Sequence, residues 1–179
     1  MDKEATGYWI SQVVPAEVTF REIRGHRLAL ADLGNGETLV ATTHFADVDT
    51  GLQSQDPEDG VVKDVRSELV TVARASQEQL AELVIEAAEL LEAAKVVPAQ
   101  PGTLLPKLGE NLHAMLIAPY LWGGQTPQLK EPDRWTLLLQ VVGLNDEEYG
   151  FAVEEGVNAF QEAVVAEGID VLDWTRITG

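Results

Sequence analysis

The 179-residue chain contains no cysteine. Disulfides, thiolate nucleophiles, thiolate zinc sites and iron–sulfur clusters are thereby excluded together, and the composition suits a reducing cytoplasm. Histidine is nearly as scarce. His26, His44 and His113 are the only three, and no two stand four residues apart or in an H-E-x-x-H arrangement. Basic residues are the next shortage: 12 Lys and Arg face 30 Asp and Glu, a formal net charge of −18. A field of that sign repels phosphate backbones and anionic lipid surfaces, so neither nucleic acid nor a membrane is an expected partner. A basic protein is.

Long apolar runs are missing too. None approaches the ~18 residues that span a bilayer, and the polar start Met1-Asp2-Lys3-Glu4-Ala5 lacks the basic and apolar regions of an export signal. A cytoplasmic protein is expected, with one domain over 1–179 as its simplest organisation. Catalytic signatures are equally thin. Ser11, Ser54, Ser67 and Ser76 lie in neither G-x-S-x-G nor S-x-x-K, and Gly34-Asn35-Gly36 lacks the Lys-Ser/Thr of a phosphate loop. No catalytic residue, cofactor or metal ligand set is assigned, and the chain reads as a non-enzyme.

What is present is a clear pattern of elements. Short β-runs at Glu17–Ile23, His26–Leu33 and Glu37–Thr43 are joined by the turn residues Arg24-Gly25 and Gly34-Asn35-Gly36, which predicts an antiparallel meander. Arg66–Arg74 reads as a further strand. Ser76 with Gln79 has the form of a capping box, and Leu80, Leu83, Val84, Ala87, Leu91 and Ala94 then mark one helix face. Residues 98–106, with three prolines, read as a loop. His113–Tyr120 and the nearly all-apolar Trp135–Leu144 read as buried strands. A second helix is expected from Asn145 to a C-cap at Gly168, with Tyr149, Ala152, Val153, Gly156, Val157, Phe160 and Val164 facing inward. The order predicts an α+β fold: a mainly antiparallel sheet with two principal helices on one face.

Charge is distributed unevenly over these elements. Glu78, Glu82, Glu86, Glu89 and Glu92 recur at three- and four-residue steps, an anionic stripe opposite the first helix's apolar face. Like charges at that spacing cost roughly 0.2–0.5 kcal/mol per pair. From Trp135 to Thr175 there are nine Asp or Glu, Glu154, Glu155 and Glu162 among them, and no Lys or Arg. If both helices share a face, their outer sides form one broad surface suited to a basic partner. Arg21, Arg24, His26 and Arg27 make the one basic patch, around the first hairpin. Tyr120 and Trp122, beside Gly123-Gly124, are candidate interface anchors. The polar stretch 47–64 reads as an exposed loop. Asp47, Asp49 and Glu58 occupy positions one, three and twelve of an EF-hand frame, but Leu52 replaces the obligatory glycine. A small-molecule or divalent-cation site in this loop, even a hydrolytic one, is the alternative reading.

Three stretches resemble the suppressor of fused family. Trp135–Glu148 (WTLLLQVVGLNDEE), continuing through Phe151–Gly156, resembles the family's apolar strand, its glycine-containing turn and its Glu-Glu helix start. Thr38–Phe45 (TLVATTHF) and Arg66–Val72 (RSELVTV) are similar to two upstream family strands. The resemblance implies an α+β fold and a protein-binding role. Animal members restrain transcription factors of Hedgehog signalling, and bacterial members are proposed as immunity proteins that neutralise toxins. This chain lacks room for the second domain and long insertion of the animal form. The resemblance therefore implies a compact bacterial-type member, an immunity protein covering a basic toxin being its sharpest form.

Overall fold

A computed structural model of the chain describes residues 3–49, 51–94, 99–119 and 126–178. Its centre is one sheet of nine strands: β1 Val18–Ile23, β2 His26–Gly34, β3 Glu37–Thr42, β4 Gln53–Gln55, β5 Val62–Ala73, β6 Leu104–Gly109, β7 Leu112–Ile117, β8 Gln128–Lys130 and β9 Arg134–Leu144. The order across the sheet is β1-β2-β3-β5-β9-β7-β6, with β4 paired to the start of β5 and β8 to the start of β9. Every pairing is antiparallel except the central one, β5 with β9. The helices are α1 Lys3–Val13, α2 Gln77–Ala94, α3 Asp146–Glu155, α4 Val157–Glu167 and α5 Thr175–Thr178. Among the described residues, no helix is long and apolar enough to cross a membrane.

The first meander forms as its turns dictate. Arg24 and Gly25 both have positive φ, the requirement of a tight two-residue hairpin, and Asn35 and Gly36 repeat it. Both capping boxes are present. Ser76 and Gln79 bond each other's backbone N–H at 3.1 and 3.0 Å, and Asn145 and Glu148 do so at 2.8 and 2.9 Å. Gly168 closes α4 in the left-handed region.

The α+β class and the mainly antiparallel sheet are as expected, but the two helical units lie on opposite faces. Leu139 and Val141 of β9 share a core with α2, through Leu80, Leu83, Val84, Ala87 and Leu91. Val142 and Leu144, pointing the other way, share a core with Ala152 of α3 and Phe160 of α4. α1 covers that second face beside them, with Trp9 and Ile10 against Ala29, Leu39, Val70 and Leu138. The physical reason is the composition of β9. A strand apolar on both sides must be covered on both sides, and α2 can occupy only one.

Other expectations change locally. The single second helix is two helices, because Gly156 (φ 97°, ψ 157°) departs from helical geometry between them. Val153, expected inside, is 55% exposed. The proline-rich stretch contains β6, an edge strand where Pro106 needs no ladder partner. The loop 47–64 folds into a small hairpin, with Gln53–Gln55 pairing Val62–Asp64.

Candidate protein-binding surface

The anionic stripe of α2 faces the basic hairpin across the edge of the sheet. Arg21 Nη1 lies 3.3 Å from Glu78, and Arg24 lies 2.9 Å from Glu86 and 3.3 Å from Glu89. His26 Nε2 is 3.2 Å from the second oxygen of Glu89. The hydrogen bond that Arg24 donates to Glu86, then the fields of Glu86, Glu89 and Glu82, raise the Arg24 pKa above its ordinary value. Three of the stripe's five glutamates therefore have cations of the hairpin, while Glu82 and Glu92 are exposed and make no ion pair among the described residues.

Five of the six loop carboxylates are also engaged, and Glu58 is exposed with no ion pair among the described residues. Lys63, nearly buried, donates to Asp59 at 3.1 Å and to the Pro132 carbonyl at 2.7 Å. Arg66 lies 3.4 Å from Asp64 and 3.8 Å from Asp49, while Arg134 lies 3.7 Å from Asp47. Both guanidinium groups also donate to the Ala46 carbonyl. No three His, Asp or Glu side chains among the described residues converge as a metal ion would need. At the root of this loop sits Glu68, with no exposed surface. It accepts from Thr42 Oγ1 at 2.6 Å and from the amides of Phe45 and Ala46 at 2.9 and 3.0 Å, capping a single 3-10 turn, Phe45–Asp47. Burial pushes its carboxyl up to about 7, against the three donors that hold it down. Every ligand of this carboxylate is structural.

The opposite face differs in kind. α3 and α4 together carry seven acidic residues and no basic one. Asp146 bonds His113 at 2.7 Å, and Glu148 is held by Arg176. Arg176 is the first cation after the acidic stretch. It binds inward, donating also to the carbonyls of Gly143, Val171 and Asp173. The remaining five, Glu147, Glu154, Glu155, Glu162 and Glu167, are exposed and make no ion pair among the described residues. Apolar side chains are exposed beside them: Phe151, Val153 and Val165, the last at 83%. The union of both helical units into one anionic surface does not form, because they face away from each other. Tyr120 and Trp122 lie outside the described residues.

The suppressor of fused family model matches residues 35–177, from the second hairpin turn to the final helix. The chain belongs to the suppressor of fused family. A solved structure of a suppressor of fused homologue from Neisseria gonorrhoeae superposes with a TM-score of 0.66 at 11% identity, covering 96% of this chain and 92% of that one. The protein in the Sufu–Fu complex superposes at 0.53 and 14% identity, covering 94% and 84%. No individually curated protein matches the sequence. At these identities the superpositions establish the fold. Gly143, next to last in β9, lies beneath Trp174 and Ile177, where a Cβ would approach both to 3.0 Å.

Proposed function

We propose that this chain is a non-catalytic intracellular binding domain that holds a basic protein on the outer side of α3 and α4. The observation that carries this reading is the imbalance between the two anionic surfaces. On α2 the carboxylates Glu78, Glu86 and Glu89 have cations of their own chain and only Glu82 and Glu92 do not, whereas Glu147, Glu154, Glu155, Glu162 and Glu167 make no ion pair among the described residues and stand among exposed apolar side chains. Uncompensated charge beside apolar surface gives a partner both steering and a desolvated contact. Membership of the family supports a protein partner, since a relative is seen in complex with the protein Fu. The sharpest version is an immunity protein neutralising a basic toxin.

The test is capture of the partner from the host's lysate at low ionic strength, followed by stopped-flow association against salt concentration. The reading expects a basic partner whose association rate falls steeply as salt screens the face. A rate independent of salt contradicts it.

A further inference from the structure

The outward break at Gly156 leaves a groove between α3 and α4, a hollow of about 330 Å³. Its floor is apolar. Phe160 is buried, Phe151 is 39% exposed, their rings lie 6.2 Å apart at 56°, and Ala163 and Ile169 extend the apolar part; Asn145 and Glu148, the latter paired with Arg176, form a polar wall. Its mouth is anionic: Glu147 and Glu167 stand at the rim, both exposed and without an ion pair among the described residues. Along α3, Glu147, Phe151 and Glu155 follow at four-residue steps, so carboxylates flank the half-exposed ring on either side.

Resting on the binding reading above, we propose that this groove receives an apolar side chain of the basic partner, flanked in the partner's sequence by Lys or Arg. The chemistry is complementary at both levels. An apolar anchor covers Phe151 and fills the hollow, and the flanking cations reach Glu147, Glu155 and Glu167, which make no ion pair among the described residues. The hollow lined by Val72, Ile169, Val171 and Leu172 has an apolar wall and two carboxylates, but one of them, Asp170, is paired with Arg74. Two further hollows lack the apolar wall or the pair of carboxylates. The one beside Glu92, His44, Asp47 and Asp49 has Val48 as its sole aliphatic wall. The one at the start of α4, lined by Gly102, Ile117 and Asn158, has a single carboxylate, Glu155.

The probes are two synthetic peptides, Lys-Lys-Phe-Lys-Lys and the same sequence with Ala for Phe, measured by fluorescence anisotropy at low ionic strength with methyl NMR of Ala163 and Ile169. The Phe peptide is expected to bind at least about tenfold tighter, the scale of one well-buried aromatic side chain, and to shift both methyls. Filling the groove with Ala163→Trp should bring the Phe peptide down to the Ala peptide and leave the Ala peptide unchanged. Ala163→Met gives the same ordering if the Trp variant does not fold. Equal binding of the two peptides, still weakened by Glu154→Lys with Glu155→Lys, overturns the groove and leaves the anionic face standing. Binding of neither peptide overturns both.

Discussion

Arg24 of the first hairpin lies 2.9 Å from Glu86 of α2. That pair joins the meander to the helix that covers it, and with Arg21–Glu78 and Arg24–Glu89 it offsets three of the five glutamates on α2's outer side. Partly exposed pairs of this kind contribute little stability, on the order of 0–1 kcal/mol. Their consequence is where the molecule's uncompensated charge remains. The first prediction follows directly. Arg24→Ala should change the denaturation midpoint only slightly, while raising the salt sensitivity of stability as the α2 carboxylates lose their counter-charge.

Arg176 is predicted to be far more costly to remove. It is nearly buried, pairs with Glu148 and donates to three backbone carbonyls. Arg176→Met leaves Glu148 without its cation and should destabilise the fold by roughly 3–5 kcal/mol, measured by chemical denaturation. A loss below about 1 kcal/mol would show that the tail is not clamped as described.

Gly143 should not tolerate a methyl group. Its Cβ would meet Trp174 and Ile177 at 3.0 Å, inside a packed core. Gly143→Ala is expected to cost about 1–3 kcal/mol and to change the fluorescence of Trp174 as the last helix moves. Retention of both stability and spectrum would contradict this packing.

Glu68 makes stability depend on pH. Burial raises its folded-state pKa from the ordinary 4.5 to about 7. A raised carboxyl binds its proton more tightly in the folded state, so its contribution is fully present below about 4.5 and is lost as pH rises through about 7. The shift corresponds to at most ~3 kcal/mol. Comparing unfolding free energies of wild type and Glu68→Gln from pH 5 to 8 isolates this group from the other carboxylates. The difference between them should vary with pH across that window, and a flat difference would remove Glu68 as its source.

Much of this architecture was legible because local chemistry and tertiary structure agree. Both capping boxes, the Arg24-Gly25 and Asn35-Gly36 turns and the β-runs around them are specified by a few neighbouring residues. The misses have equally specific causes. α1 was hidden because Gly7 weakens its helical pattern, and that glycine sits close under the Phe20 ring, 3.1 Å from where a Cβ would stand. β4 and β8, three residues each, are too short to show a period. Gly156 reads as part of one helix's inner face, not as a break, because apolar spacing continues from Ala152 to Phe160.

The candidate surface was half legible. The acidic residues of α3 and α4 were identifiable from composition, but not that Arg21 and Arg24 would offset three of α2's glutamates. That pairing depends on a hairpin more than 50 residues away. One clue to the helices' placement did lie in the sequence. Trp135–Leu144 is apolar on both faces, which requires a cover on each side of the sheet.

The most direct measurement compares two charge-matched variants for binding the captured partner. One is Glu154→Gln/Glu155→Gln/Glu162→Gln on the open face, and the other is Glu78→Gln/Glu82→Gln/Glu86→Gln on α2. Both change net charge by the same amount, so the global field is equal and only its location differs. The account predicts a loss of at least about tenfold in affinity for the first and under about threefold for the second. Equal losses, or a larger loss on α2, would contradict the claim that α3 and α4 form the binding face.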